Sequence, residues 1–386
     1  MNRLVTALKN EAKGLVKQFA RLAGFHLLTK AQTVAYLKPH ERVHRPAELF
    51  ELPDVYDAVD PGQCIFQRKD AATRPCRAWY HTRDGKPPAA LLRNGSVWLD
   101  GNVLCTDYFT DHVLKDSLKI KKRTVVEARA LVAPFSHYLD PVFIWGYYDF
   151  MFLIAAKLCR MAQAVPELAF SDAVVAYPLF GTTYEREFLS LLGFSPAHVL
   201  DSRLYNVQSA NCLLANAGSW YYPSPKDVEL LRNALAPLVQ EPAEKRIRLY
   251  VSRAGRRRIE NEAELVAMLE RHGFTVMEDR PRTLAEQLTL YHRASFIVGP
   301  HGASFSNIIW CQPGAHLFEI FAPDYAPDFF LYLAQLAGVG YSACCQPAAG
   351  GGQLPPIERN IRVAVADVER GVVAALAKAA LAMPTR

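Results

Sequence analysis

Hydrophobic and polar positions change rhythm along this chain, and the changes mark its parts. At the start, Val5, Leu8, Ala12, Leu15, Phe19 and Leu22 fall on one helical face, while Lys9, Lys13, Lys17 and Arg21 recur every four residues on another. The spacing predicts a basic amphipathic helix within residues 1–30. Such a helix either lies on an anionic leaflet or docks on the protein's own surface. From residue 62 to residue 132 short β-prone runs dominate. The clearest is Val97-Trp98-Leu99, then Asp100-Gly101, then Val103-Leu104. An Asp-Gly pair between two such runs signals a hairpin, because it accepts the positive φ of a tight β-turn.

From residue 140 helices and strands alternate. Residues 147–165 are apolar and free of Gly and Pro, which predicts a buried helix. Strands are expected at 173–176, 198–200 and 212–215. A helix at 182–193 opens with Thr182 and Glu185 in a T-x-x-E capping box and stops at Gly193, and Ser224-Pro225 opens another. Pro242 and mixed charge make 239–245 the expected linker. Beyond it, strands at 247–251, 274–277, 296–298, 316–321 and 341–344 are spaced by helices at 261–272, 283–293, 302–311 and 328–337. That alternation predicts right-handed βαβ units and a parallel sheet. A Gly-rich turn at 348–352 leads to an Ala-rich helix, 366–383, expected to pack back on the molecule. The expected architecture is α/β: two Rossmann-like halves facing a cleft, with a strand-rich N-terminal extension. Its parts are 1–30, 31–240, 241–345 and 346–386.

Composition narrows the class. The chain has 386 residues, 51% hydrophobic and 21% charged, which excludes disorder and collagen-like repeats and leaves material for two ordinary cores. Lys and Arg outnumber Asp and Glu by 44 to 38, giving +6. That balance suits an anionic small ligand or a membrane surface and is too small for a protein that coats nucleic acid. Eight cysteines form no C-x-x-C pair and have no zinc-like His spacing, so reduced, cytoplasmic thiols are expected. No uncharged apolar stretch reaches the roughly eighteen residues of a membrane span, and charges interrupt the N-terminus before a secretory h-region forms.

The chemistry concentrates in the last third. An apolar strand runs into Gly299-Pro300-His301-Gly302-Ala303-Ser304 and then into a helix, so unpaired backbone N–H groups and the helix dipole favour an anion there. His301 is placed to donate to a phosphate oxygen, and Ser304 or Ser306 to cap the helix or touch the ligand. Ser252-Arg253-Ala254-Gly255-Arg256-Arg257-Arg258 follows an earlier strand at the same sheet edge, and arginines there hold a diphosphate through charge-assisted bonds. Arg253 and Arg258 are the expected contacts, with Arg256 and Arg257 solvated. Asn261 and Glu264 read as capping residues. Glu319, near the end of the next strand, is expected either to accept from a ribose or to be a plain strand-end carboxylate. Neither a G-x-G-x-x-G nor a Walker motif is present, which argues against dinucleotide redox enzymes and P-loop ATPases.

Ser252-Arg253, Arg258, Asn261-Glu262, then Gly299-Pro300-His301-Gly302-Ala303 with Asn307, then Glu319, together resemble glycosyltransferase family 61. That family includes bacterial capsular-polysaccharide enzymes and eukaryotic O-linked N-acetylglucosaminyl- and xylosyltransferases. The similarity runs from residue 246 to 335 and extends back to residue 95. It implies a GT-B fold, an inverting mechanism with no metal or other cofactor, and a nucleotide-diphosphate sugar donor such as a UDP-sugar. Arg253, Arg258, His301, Gly302, Ala303, Ser304, Asn307 and Glu319 would be the donor-side residues. The implied acceptor is a saccharide or lipid-linked saccharide in surface polysaccharide synthesis, reached from the cytoplasmic face of a membrane, with no nucleic-acid partner. The family's middle region usually carries an aromatic-His helix start. Here Trp145-Gly146-Tyr147-Tyr148-Asp149-Phe150 puts Asp149 where that His is common and Leu153 where an acidic residue often follows. Inverting transfer needs one base at the acceptor hydroxyl. Asp149 is the first candidate, or else a first-turn acid held by the helix dipole; His137 and Asp140 are the reserve. A GT-B-like polysaccharide pyruvyl transferase and a non-catalytic subunit of a polysaccharide assembly complex are the alternatives.

Overall fold

The computed structural model describes residues 18, 22, 24–82, 88–107, 122–135, 146–239, 246–349 and 354–382. The periodic basic face of 1–30, the reserve bases His137 and Asp140, and all but the first residue of the expected linker lie outside them. The chain divides into two compact units, Met1–Ala47 with Arg74–Leu231, and Glu48–Thr73 with Arg232–Arg386. Both are mixed α/β.

In the first unit, one six-stranded sheet has the order Val199–Asp201, Val174–Tyr177, Leu131–Ala133, Asn211–Ala215, Cys76–Thr82, Glu41–Arg45. The first four strands are parallel and the last two antiparallel to their neighbours. A second sheet includes the expected hairpin, Val97–Leu99 with Asn102–Val103, turned through Asp100 (φ 50°) and Gly101 (φ 76°). It also includes Tyr205–Ser209, a strand the sequence pattern does not announce, because only Val207 and Ser209 of it are buried. The long buried helix forms as Tyr147–Asp149, Phe150–Ala155 and Ala156–Ala164, with the middle six residues in the wider π winding. All six are buried, consistent with an apolar stretch that must turn every face toward protein.

The second unit holds five parallel strands: β1 (Ile247–Val251), β2 (Phe274–Met277), β3 (Ala294–Pro300), β4 (His316–Phe321) and β5 (Gly340–Cys345). Their order is β2-β1-β3-β4-β5. Helices α1 (Glu262–Arg271), α2 (Leu284–Arg293), α3 (Phe329–Ala337) and α4 (Val365–Ala382) accompany them. The T-x-x-E box opens α2 as expected: Thr283 Oγ1 accepts from the Glu286 amide at 3.2 Å, and the Glu286 carboxylate accepts from the Thr283 amide at 2.8 Å. Asn261 departs from its expected capping bond. Its amide clamps Val363, accepting from that residue's N–H and donating to its carbonyl, both at 3.0 Å, and so ties the start of α1 to the segment before α4. Val368, Val372 and Ala375 of α4 then join Leu265, Met268, Phe296 and Phe318 in one core.

Residues 48–73 correct the expected continuous domain 31–240, because this segment packs with the second unit. Asp57 explains why. Its carboxylate accepts from the Cys345 amide at 2.7 Å and from the Val59 amide at 2.8 Å, while Ala58 donates to Ala343 O at 2.9 Å. The segment thereby pairs with the outer edge of β5, where an open strand edge otherwise exposes unpaired amides. Among the described residues no helix is long and apolar enough to cross a membrane, and all eight cysteines are free thiols.

Candidate functional site

The strand order creates the site. Since β1 lies between β2 and β3, the connections leaving β1 and β3 diverge, and the gap beyond their C-terminal ends is the switch point where open α/β sheets bind ligands. The loop after β1 carries the arginines and the loop after β3 carries His301-Gly302.

Arg253 Nε donates to Arg256 O at 2.5 Å and its Nη1 to His301 O at 3.0 Å. Arg257 donates from Nε to the same carbonyl at 3.2 Å and from Nη1 to Ile357 O at 2.6 Å, and its guanidinium lies 5.2 Å from the centre of the Tyr325 ring. Two arginines from one loop thus grip one carbonyl of the other. Burial first, then repulsion from neighbouring arginines, pulls both guanidinium groups down to about 10, still fully charged at neutral pH. Among the described residues neither forms a salt bridge with a carboxylate. Of the five N–H donors on each guanidinium, these bonds use two, and no other described residue bonds the remaining three. Here the structure exchanges two expectations. Arg258 is exposed, whereas Arg257 is buried. The cause is backbone conformation: Arg257 has φ 60°, a positive value that is rare for a residue with a side chain.

The turn after β3 is shaped by two close approaches. A Cβ on Gly299 would stand 2.7 Å from Val251 O, and one on Gly302 would stand 1.8 Å from Arg253 Nη1. Gly302 is extended (φ −173°), so its glycine is needed for space and not for conformation. The following helix, Ala303–Trp310, is a 3₁₀ helix, tighter than the α-helix expected. Its first bond is Phe305 N–H to Gly302 O at 3.0 Å, so the amides of Gly302, Ala303 and Ser304 precede the helical ladder. Ser304 Oγ pairs with Tyr291 OH at 2.9 Å, and Asn307 is fully buried, donating to Gln287 Oε1 at 3.4 Å. Gly302→Ala is expected to keep the fold, because the clash is with a side-chain end, and to weaken anion binding at least tenfold by displacing Arg253. Melting temperature and anion titration of this variant separate the two effects.

His301 and Glu319 are both buried, and the pair corrects the ribose expectation. His301 Nδ1 lies 2.5 Å from Glu319 Oε1, and Tyr341 OH donates to Glu319 Oε2 at 2.6 Å, so both carboxylate oxygens are occupied inside the protein. Nothing local in the sequence singles out Tyr341; the register pairs it with Leu317, two residues from Glu319 and on the same face of the sheet. Burial raises Glu319 to about 8, and burial together with Arg257, Arg253 and Arg256 holds His301 well below its ordinary range. Folding therefore moves one proton from the imidazole to the carboxyl. Between about pH 4.5 and 6.5 the folded and unfolded pair each hold one proton, and stability is flat. Above about 6.5 the unfolded histidine loses its proton while the folded pair keeps one until about 8. Stability of the second unit is expected to fall across that window by about 2 kcal/mol. Denaturant titrations of wild type and Glu319→Gln at pH 6 and pH 8 check this: the fall in stability from pH 6 to pH 8 should be absent from the variant, which instead gains slightly as its unfolded histidine loses its proton.

Asp149 is buried at the start of its helix. Its Oδ2 accepts from the Gly146 amide at 3.1 Å and its Oδ1 from the Trp220 indole N–H at 2.8 Å. It is thus a first-turn cap and an indole acceptor. The expected box at Thr182 and Glu185 forms only by half: Thr182 Oγ1 accepts from the Glu185 amide at 3.3 Å, but the Glu185 carboxylate accepts from the Phe180 and Gly181 amides and from Tyr177 OH in place of the Thr182 amide. Glu262 accepts from Tyr250 OH at 2.7 Å. Among the described residues no group of three or more His, Cys, Asp or Glu is placed to hold a metal ion.

Compared with known families, residues 108–318, more than half of the chain, match the model described as Glycosyltransferase 61. No curated protein matches the chain.

Proposed function

The chain belongs to glycosyltransferase family 61, and from that premise we propose that its second unit binds a nucleotide-diphosphate sugar, a UDP-sugar by family resemblance, and that the sugar passes with inversion to a saccharide or lipid-linked acceptor. The two α/β units then form a fold of the GT-B type, and surface polysaccharide is the product class. One observation carries the donor assignment: Arg253 and Arg257 are largely buried and charged, and among the described residues neither forms a salt bridge, the charges of Asp279 and Glu319 offsetting their burial only in part. Burying a guanidinium bonded only to carbonyls, with no salt-bridged carboxylate, is costly. A diphosphate would supply the missing charge and accept the free N–H groups, with the Gly302, Ala303 and Ser304 amides completing its cradle.

As the glycosidic bond to the leaving diphosphate breaks, negative charge grows on the β-phosphate. Fixed cations and amides stabilise that charge without reorganising, which is the electrostatic work a metal would otherwise do. For the acceptor proton we retain Asp149 as the proposed base. Asp149→Asn preserves one oxygen for the indole or the Gly146 amide, so it is expected to lower transfer at least a hundredfold while nucleotide affinity stays within twofold. Transfer that survives in Asp149→Asn moves the role to His137.

The donor assignment is tested by thermal shift with UDP, GDP and ADP in EDTA. A nucleoside diphosphate that stabilises the chain in EDTA supports it. A chain indifferent to all three and to their sugars contradicts it and favours a transferase with another kind of donor.

A further inference from the structure

Tyr341, Glu319 and His301 form a chain of side chains linked through the two oxygens of Glu319. Glu319 sits in mid-strand with no exposure, its two oxygens held at 2.6 Å by Tyr341 and 2.5 Å by His301. No described residue bonds His301 Nε2, the ring's other nitrogen. Phe321, Tyr325, Phe329 and Phe330 pack around the imidazole, so the ring cannot swing to another partner. The charged and titratable groups facing the pair are Arg253, Arg256 and Arg257 from the loop after β1, Tyr325 after β4, Tyr341 on β5, and Asp328, which acts on Tyr341.

We infer that Tyr341–Glu319–His301 is an internal proton relay that switches His301 from a neutral to a cationic phosphate ligand when the donor diphosphate binds. The inference rests on the donor-site reading above. In the free protein Glu319 carries the proton on Oε1 and donates it to Nδ1. This fixes the tautomer with hydrogen on Nε2, aimed outward as a donor. Three arginines surround the imidazole, and a cation there is unfavourable while they are uncompensated. A bound diphosphate reverses that balance. The proton then crosses the 2.5 Å contact from Oε1 to Nδ1: the O–H bond breaks, the N–H bond forms, and the electron pair stays on Glu319. Tyr341 OH, already donating to Oε2, stabilises the carboxylate that results. No proton is taken from solvent. Tyr341 and Glu319 are positioning residues, because they act on the ligand only through His301.

The pair keeps the same net charge throughout: moving the proton to Nδ1 places a positive charge on the ring that carries the ligand-side nitrogen, and leaves the negative charge one residue further back, on a carboxylate held by Tyr341.

The test uses the full chain labelled with ¹⁵N-histidine and the tightest-binding of UDP, GDP and ADP. The nitrogen shifts of His301, assigned by loss in His301→Gln, should move from neutral to imidazolium values on saturation at pH 7. Calorimetry in two buffers of different ionisation enthalpy should show proton uptake near zero. Glu319→Gln cannot supply the proton, so its binding should take up close to one proton and weaken about tenfold per pH unit above neutrality. Tyr341→Phe should weaken binding about fivefold at pH 7. Nucleotide binding with His301 still neutral would overturn the relay and leave the donor site standing. No binding by any of the three nucleotides would overturn the donor site, and the relay with it.

Discussion

Arg253→Ala is expected to weaken nucleoside diphosphate binding by a hundredfold or more and to reduce transfer to the same extent, while Arg258→Ala stays within threefold. A charge-assisted hydrogen bond contributes about 1.5–3 kcal/mol, and Arg253 has donors for two to a diphosphate, so the loss is about 3–6 kcal/mol. Each 1.4 kcal/mol is about a factor of ten. Arg253 also orients the turn that presents the amides, through His301 O. Its replacement removes a ligand contact and loosens the cradle together. Arg257→Ala should behave similarly in binding and cost more stability, since its guanidinium also spans to Ile357 O. Isothermal titration of the three variants provides the ranking, and equal effects at 253 and 258 would return the site to a diffuse basic loop. The salt dependence is a second signature: buried pairs are screened far less than exposed ones.

Asp107→Ala is expected to destabilise the first unit by about 3–5 kcal/mol, the penalty for leaving a buried charge without its partner. Lys157 and Asp107 are both completely buried, 3.2 Å apart, and Lys157 also donates to Phe135 O at 3.0 Å. Asp107 in turn accepts from the Ala217 amide. A turn further along the same helix Arg160, also fully buried, bonds Asp227 and Asn216 O. Burial lowers the Lys157 ammonium, so part of the loss in the variant is relieved by deprotonation, and the destabilisation should shrink at high pH. For a unit of this size the melting temperature should fall by about 6–20 °C. The double variant Asp107→Leu with Lys157→Met should recover much of it, because an apolar pair of similar volume has no charge to desolvate. A change below about 1 kcal/mol in Asp107→Ala would show that the pair is not buried as described.

The sequence announces the second unit well because each of its elements carries its own signal. Thr283 and Glu286 mark the start of α2, Gly338 closes α3 in the left-handed conformation (φ 67°), and apolar runs define β1, β3 and β4. Loop chemistry is legible as far as the ends of strands, and both loops of the candidate site lie where the alternation puts them. What is hidden depends on distant parts of the chain. Nothing local in residues 48–73 says that Asp57 will bond Cys345, 288 residues away. Asn261 is a capping residue by pattern and a clamp on Val363 by contact. Among four arginines in one loop, only the backbone angle of Arg257 distinguishes the buried one. Glu319 reads as a strand carboxylate, but that both of its oxygens are taken follows from the register that brings Tyr341 alongside. The Asp149 carboxylate is similar: a helix-start acid by position, an indole acceptor through Trp220, 71 residues on.

The central claim is that the switch point of the second unit's sheet is a diphosphate cradle, and a crystal structure of the chain with a bound nucleoside diphosphate tests it most directly. The account predicts the β-phosphate within hydrogen-bonding distance of the Gly302–Ser304 amides and of the Arg253 guanidinium, with His301 Nε2 on a phosphate oxygen. A nucleotide seated elsewhere, with Arg253 and Arg257 still bonded only to His301 O, Arg256 O and Ile357 O, would contradict it.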